Sequence, residues 1–254
     1  MRNVVTMARK ELQAYFGSPI AYVVIGFFAL VFGFFFSTIL FYFDRQSMQL
    51  QPGAGQTMNV NQMLIGPVFM NVAVMALFML PMVTMRTYAE EKRSGTMELL
   101  LTAPLTDWQI ILGKFAGAMG FYAAMLAVTT IHIGMLFLYG TPEWKPIATV
   151  YLGMFLMGGC FIALGLFISS LTKSQMVAGS ATWAVFLLLW VINWIGQSLG
   201  PTGQAVVTHL SITDHLEDFS RGIIDTKHLV YYASFIVFGL FLTARSVDSE
   251  RWRG

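Results

Sequence analysis

The chain has 254 residues, of which 56% are hydrophobic and only 11% are charged, and its formal net charge is +2. A soluble chain averages about 25% charged residues, so this composition predicts an integral membrane protein rather than a soluble one. The net charge is too small, and the basic runs too short, for a nucleic-acid-binding protein. Cys160 is the only cysteine, which excludes an intramolecular disulfide bond.

Residues 1–19 predict a separate amphipathic helix that ends at a Gly17-Ser18-Pro19 break. Its apolar positions recur at helical spacing and are Val5, Ala8, Leu12, Tyr15 and Phe16. A helix with one apolar face and a basic side is expected to lie along the membrane surface, and the alternative is a cytoplasmic extension of the first span. A signal peptide is not expected, because Glu11 interrupts the basic region and the following apolar run is too long.

Six apolar runs are candidates for membrane-spanning helices, which need roughly 20 residues to cross a bilayer. They cover about 20–43, 64–85, 108–139, 147–170, 177–199 and 229–244. The third is over-long and the sixth is short. With the N-terminus inside, eleven Lys and Arg residues are cytoplasmic and four are external, which predicts that both termini lie in the cytoplasm. The expected fold is an all-α membrane protein with 1–254 as a single transmembrane domain.

Two features flank the second span. The Gln- and Gly-rich segment from Asp44 to Asn61 predicts a flexible outer loop. Pro81 lies one turn before this span leaves the bilayer at Arg86, and its missing backbone donor is expected to bend the helix.

The segment from Arg86 to Phe115 concentrates charge between two apolar runs. Its four consecutive charges are Glu90, Glu91, Lys92 and Arg93, and their mixed sign suits specific pairing better than attraction to lipid. Ser94-Gly95-Thr96 then interrupts the chain, and Met97 to Leu101 predicts one or two helical turns. A solvated connector is the alternative, but a flexible linker does not need a break at both ends.

The end of this segment predicts how the third span begins. Ala103-Pro104 stops the short helix, and Thr106-x-x-Gln109 has the pattern of a capping box. Lys114 follows inside the apolar run and is expected to extend back to the membrane interface.

Three polar residues inside spans are candidates for a substrate path: Asn71, His132 and Asn193. Hydrogen bonds across helices are the alternative. No span centre holds a carboxylate, which disfavours an ion-coupled carrier with a buried acid relay. Small residues at Gly113-x-x-x-Gly117 and Gly159-x-x-x-Ala163 have the spacing that lets helices approach closely.

The outer segment 200–228 predicts a short amphipathic helix. Asp214-x-x-Glu217 can cap it, and Leu216, Phe219 and Ile223 can form its apolar face. The neighbouring histidines and aspartates, His209, Asp214, His215, Asp218 and His228, do not fit a common metal-ligand spacing. Local caps and an Asp218–Arg221 pair explain them more simply, so no metal site is expected.

No phosphate-binding loop of the form G-x-x-x-x-G-K-[ST] occurs in the sequence. The chain is therefore not expected to hydrolyse ATP itself, and ATP-driven transport would need a separate ATPase.

Three stretches resemble one family in chain order. They read ARKELQAYFGSPIAYV, TMRTYAEEKRSGTMELLLTAPLTDWQIILGKF and SITDHLEDFSRGIID. They are similar to ABC-2-type transporter permeases, and most closely to the branch that includes the gliding-motility-associated permease subunits. The resemblance implies a bacterial inner-membrane subunit that works as a homodimer or heterodimer with ABC-type ATPase subunits, which would hold the ATP and Mg²⁺.

The resemblance also implies roles for particular residues. The segment 88–104 would contain the coupling helix that docks into the ATPase, with contacts from Glu90, Glu91, Lys92, Arg93, Gly95, Thr96, Glu98, Leu99, Leu100 and Leu101. The outer helix would form a re-entrant gate, with Asp214, His215, Leu216, Asp218, Phe219, Arg221 and Ile223.

Three functions remain open at the level of the sequence. The first is ATP-driven export of lipids, peptides or lipid-linked glycans. The second is a mechanical or assembly subunit that drives an auxiliary extracytoplasmic protein without moving a solute. The third is an ion-coupled carrier that needs no ATPase.

Overall fold

The computed structural model describes residues 2–49, 60–140, 142–196, 207 and 211–251. Every regular element in these residues is helical. The α-helices are α1 (Arg2–Phe16), α2 (Pro19–Gln49), α3 (Gly66–Thr84), α4 (Ala89–Ser94), α5 (Thr96–Thr102), α6 (Asp107–Tyr139), α7 (Trp144–Ser170), α8 (Gln175–Gly196), α9 (Asp214–Ser220) and α10 (Thr226–Arg251). A short π-helix, Asn61–Ile65, precedes α3.

Six helices among the described residues are long and apolar enough to cross a membrane, which confirms the predicted fold class. They cover Pro19–Met48, Met63–Ser94, Asp107–Tyr139, Trp144–Ser170, Gln175–Ile192 and Thr226–Glu250. The last helix is longer than the predicted 229–244, because charged residues end the apolar run at Ala244 without ending the helix. At about 1.5 Å per residue, its 26 residues span about 39 Å.

The predicted outer loop at 44–61 is shorter than expected. Helix α2 continues through Asp44 to Gln49, and the π-helix begins at Asn61. The polar residues after Phe43 extend α2 beyond its apolar run because they do not include a helix breaker. Residues 50–59 lie outside the described part of the chain.

Helix α1 is a separate helix, as predicted, but its inward face differs from the expected one. It lies lengthwise along the first half of α6, where a Cβ atom on Gly113 would be 2.5 Å from Met7 Cβ and one on Gly117 would be 2.5 Å from Glu11 Cβ. Val5, assigned to the apolar face, is 66% exposed. The two glycines explain the difference, since they form a groove that accepts α1 and set its rotation.

Helix α7 is the centre of the bundle. At four glycines along it, a different helix approaches so closely that a side chain on the glycine would clash. They are Gly153 (approached by α9), Gly158 (α6), Gly159 (α10) and Gly165 (α3). The predicted close approach at Gly159 and Ala163 is thus confirmed, and its partner is α10. The bundle has two ends, which we call the α4 end, with α1, α4 and α5, and the α9 end.

Candidate functional site

The charged segment at the α4 end consists of two short helices joined by one glycine. Helix α4 ends at Gly95, whose φ of +73° is left-handed, and α5 begins at the next residue. Glycine adopts this conformation without the roughly 1–2 kcal/mol that a side chain costs there. Thr106 and Gln109 form the predicted capping box on α6. The segment is therefore a defined structure, and the residues before the Ser-Gly-Thr break are helical as well as those after it.

The side chains of this segment divide into two groups. The exposed residues are Glu90, Arg93, Ser94, Gly95, Thr96, Glu98 and Leu99. Leu99 is 72% exposed although it is a large apolar residue, whereas Met97 is buried. Leu100 is half-buried, and the side chain of Leu101 lies outside the described part of the structure. We call the exposed group the α4–α5 surface; it is apolar at Leu99, acidic at Glu90 and Glu98, and basic at Arg93.

Lys114 fixes the segment from behind. Its ammonium group lies 2.9 Å from Glu11 Oε1 of α1 and 2.7 Å from Glu91 Oε1 of α4, and it donates to the carbonyl oxygen of Thr87 at 3.1 Å. The lysine side chain is 1% exposed, so the expectation that Lys114 extends to the membrane interface is wrong. Two carboxylates hold it inside the protein, and Glu91 faces inward rather than outward.

A second set of contacts joins α4 to the end of α7. The hydroxyl of Ser169 accepts hydrogen bonds from the backbone N–H groups of Tyr88 and Ala89, both at 3.1 Å. In return, Lys92 Nζ donates to the carbonyl oxygen of Ser170. The first N–H groups and last carbonyls of a helix lack partners within that helix. The start of α4 and the end of α7 therefore cap each other.

Lys92 also reaches the last helix. Its Nζ lies 2.8 Å from Glu250 Oε1 of α10, and its side chain is 4% exposed. Lys92, like Glu91, thus holds α4 in place, which leaves Glu90 and Arg93 as the outward-facing charges of that helix.

Tyr15 fastens α1 to the last turn of α3 and to the turn that follows it. Its hydroxyl donates to the carbonyl oxygen of Val83 at 3.2 Å, and the guanidinium of Arg86 lies 5.0 Å from the centre of its ring. Burial raises the pKa of Tyr15 to about 12, so the phenol remains a hydrogen-bond donor further into the alkaline range than an exposed tyrosine would. Beside it, a cavity of about 540 Å³ separates α1 from α4.

At the α9 end, the predicted outer helix is present as α9. Leu216 and Phe219 are buried, and a Cβ atom on Gly153 of α7 would lie 2.8 Å from the ring of Phe219. Ile223 is 51% exposed, so it does not belong to the buried face. The chain turns away before it, at Gly222 with a φ of +83°.

The polar contacts of α9 also differ from the expected ones. Arg221 pairs with Glu217 one turn earlier, and not with Asp218. Asp218 instead accepts from His228 Nε2 of α10 at 2.7 Å. The proposed Asp214–Glu217 cap does not form, because Asp214 is already the first helical residue and its N–H group bonds to the hydroxyl of Ser211.

The histidines at this end form a pair. His215 Nδ1 and His228 Nδ1 are 2.5 Å apart, so one ring donates and the other accepts. In the described residues, no group of three potential ligands is arranged to hold a metal ion. His209 lies outside those residues.

Of the three candidate path residues, two have described side chains, and these contact different parts of the bundle. Asn71 donates to Pro67 O of its own helix at 2.8 Å, and not across helices. His132 of α6 packs between Phe32 and Phe36 of α2, with ring centres 5.1 and 5.4 Å away. The side chain of Asn193 lies outside the described part.

Sequence reasoning missed the residues that hold the segment in place, which are Glu11, Lys114, Ser169 and Glu250. Two signals were available. Glu11 is an acid in an otherwise basic helix, and Lys114 is a charge inside an apolar run. Buried charges are usually paired, so each isolated charge implied a partner elsewhere in the chain. For Ser169 no local signal exists.

The six apolar helices and the ordered charged segment define a multi-pass membrane protein. The chain belongs to the ABC-2 transporter family, since the family model described as "ABC-2 family transporter protein" matches residues 39–196, more than half of its length.

Similar proteins include the probable multidrug ABC transporter permease YbhR of Escherichia coli K12. The identity is 36% over 96 residues, which is 38% of this chain and 26% of the relative. The protein of the same name from Escherichia coli O157:H7 matches equally well. The match therefore covers about a quarter of the length of these curated relatives.

Proposed function

We propose that this chain couples ATP hydrolysis by a separate ATPase to export across a membrane, and that the α4–α5 surface docks on that ATPase. One observation carries this proposal. The segment faces outward with Glu90, Glu98 and Leu99, while Glu91 and Lys92 bond it rigidly to the helix bundle. A surface that receives force must be accessible in front and fixed behind.

Leu99, Glu90 and Glu98 would have different physical roles in docking. Leu99 supplies an apolar anchor, and the burial of such an anchor contributes most of the affinity at an interface. Glu90 and Glu98 set orientation by pairing with basic groups, because charges at the edge of an interface steer association more than they add affinity. ATP and Mg²⁺ would be bound by the partner ATPase.

We place this subunit in a bacterial inner membrane with the α4 end and both termini in the cytoplasm, paired with a second permease subunit. Closure of two ATPase subunits on ATP would bring the two α4–α5 surfaces together and change access to a cavity between the permeases. Helix α9 would act as the outer gate.

We also assign the chain to the gliding-motility-associated branch, on the strength of the three similar stretches. The cargo is of the hydrophobic kinds named above, to which the description of YbhR adds drugs.

A second candidate function is mechanical. Ile223 and Ile224 are each about half exposed on the turn after α9, at 51% and 52%, and they could contact an extracytoplasmic protein. In that case ATP hydrolysis would move α9 against a partner, and no solute would cross.

Reversing the two exposed acids tests the docking proposal. Glu90→Lys with Glu98→Lys is expected to weaken binding to the ABC ATPase that copurifies with the chain by at least about tenfold, which corresponds to about 1.4 kcal/mol. Binding and permease-stimulated ATPase activity are measured on the purified complex.

Glu143→Lys is the matched control, because Glu143 is exposed at the α9 end. It should leave both quantities unchanged. If the double reversal binds and stimulates the ATPase like the unchanged protein, the assignment of the α4–α5 surface is wrong.

A further inference from the structure

Helix α7 contacts α4 at one end and α9 at the other; we call α4 and α5 together, residues 89–102, the coupling segment. At the α4 end, Ser169 and Ser170 take part in the mutual cap with α4. The carboxyl end of one helix there meets the amino end of another, so their dipoles also attract. Hydrogen bonds in both directions therefore join the end of α7 to the start of α4, although about 80 residues separate them in the chain.

The other end of α7 holds α9 equally closely. Thr149 Oγ1 donates to the carbonyl oxygen of Phe219 at 2.7 Å, in a buried position. The Phe219 ring fills the space over Gly153, where a Cβ atom would lie 2.8 Å from it. A displacement of this part of α7 would therefore move α9 as well.

Helix α10 braces α7 along its length. A Cβ atom on Gly239 would be 3.0 Å from Ala163 Cβ, and one on Gly159 would be 2.8 Å from Ile236. Helix α10 repeats the same two connections, since Glu250 pairs with Lys92 of α4 and His228 with Asp218 of α9.

The covalent route from α4 through α3 is less closely packed at its far end. A cavity of about 440 Å³ lies between α3 and α9, and its lining includes Pro67 and Met70 on one side and Glu217 and Arg221 on the other. Packed contacts transmit displacement, whereas an open cavity can absorb it.

We propose that α7, braced by α10, carries the movement of the coupling segment to α9, and that Ser169 and Lys92 are the positioning residues of this connection. The inference rests on the proposed function for the source of the movement. It adds that the movement passes from α4 to α7 through hydrogen bonds and without a direct chain connection, rather than along α3 or α6, which flank the segment in the chain.

A cysteine at Ile223 reports the position of α9. Ile223 is exposed on the turn that follows α9, and Cys160 is buried, so labelling of the unsubstituted chain gives the background. The Ile223→Cys protein is reconstituted with its copurified ABC ATPase, and its rate of reaction with a membrane-impermeant maleimide is measured with and without ATP and vanadate. Stimulated ATPase activity is measured on the same sample.

Trapped nucleotide is expected to change the labelling rate at least about fivefold, which corresponds to about 1 kcal/mol. Ser169→Ala is expected to reduce that change to less than about twofold, or about 0.4 kcal/mol, while ATPase stimulation persists. Ser234→Ala is the matched control, because the Ser234 hydroxyl bonds to Tyr231 O of its own helix. Thr149→Val, which removes the hydroxyl that bonds to Phe219 O, repeats the test at the other end of α7 if Ser169→Ala does not fold. Its control is Thr130→Val, because the Thr130 hydroxyl bonds to Ala127 O of its own helix.

Three results would overturn the inference. In the first, Ser169→Ala keeps the full nucleotide-dependent change. In the second, the Ile223→Cys protein without a further substitution shows no nucleotide-dependent change in labelling rate. Its ATPase stimulation then decides separately whether the proposed function holds. In the third, Ser169→Ala loses ATPase stimulation together with the change, which would make Ser169 part of docking rather than transmission.

Discussion

Replacing Lys114 with methionine is expected to destabilise the protein by about 3–5 kcal/mol, the usual cost of removing one partner from a buried ion pair. Methionine fills a similar volume but supplies no charge. The side chains of Glu11 and Glu91, 12% and 18% exposed, would then face each other without a counter-charge. The thermal unfolding midpoint and the yield of folded protein in detergent measure the effect.

Lys10→Met controls for the loss of a lysine in the same region, since Lys10 is exposed on α1. Adding Glu11→Gln and Glu91→Gln to Lys114→Met should restore much of the lost stability, because the uncompensated charges are then removed. An unfolding midpoint for Lys114→Met equal to that of Lys10→Met would contradict the buried triad.

Gly158→Ala is expected to destabilise the bundle by about 1–3 kcal/mol, as overpacking of a dense core does. The added Cβ atom would lie 2.0 Å from Cε1 of Tyr122, which is fully buried on α6 and donates to Met154 O at 3.1 Å. Helices α6 and α7 must separate, or the Tyr122 ring must leave its place and lose that hydrogen bond. Thermal unfolding in detergent again gives the measurement.

Gly134→Ala is the matched control, because a Cβ atom on Gly134 of α6 would meet no atom within 4 Å beyond the nearby backbone of its own helix. Alanine is also the better helix former, by about 1 kcal/mol. Equal unfolding midpoints for the two variants would show that Gly158 is not the contact point between the helices.

The parts of the fold that depend on neighbouring residues could be predicted from the sequence. Run length alone indicates the six long helices, and the Thr106–Gln109 capping box spans only four residues. The Gly17-Ser18-Pro19 break likewise ends α1 where the pattern places it. In each case the signal that decides the structure lies in one continuous stretch of the sequence.

The contacts that fix the candidate site could not be predicted in this way. Glu11 and Lys114 are 103 residues apart, and Lys92 and Glu250 are 158 apart. Such pairs depend on which helices become neighbours, and composition and periodicity carry no record of that. Glu91 therefore resembles a surface charge in the sequence although it is bound inside the protein.

Competition between local and distant partners explains the errors at the α9 end. Asp218 and Arg221 have a spacing that permits a helical pair, but His228 of α10 binds Asp218. Arg221 pairs with Glu217 at the i, i+4 spacing instead. A single helix considered alone cannot show this preference.

Site-specific photocrosslinking from position 99 tests the docking of the α4–α5 surface most directly. A photoreactive amino acid replaces Leu99, which is 72% exposed at the α4 end, and in a control it replaces Leu138, which is 79% exposed near the end of α6. Illumination of the complex with the copurified ABC ATPase should give a covalent permease–ATPase product from position 99 and none from position 138. An intact complex that gives no product from position 99, or an equal amount from both positions, would contradict the proposed function.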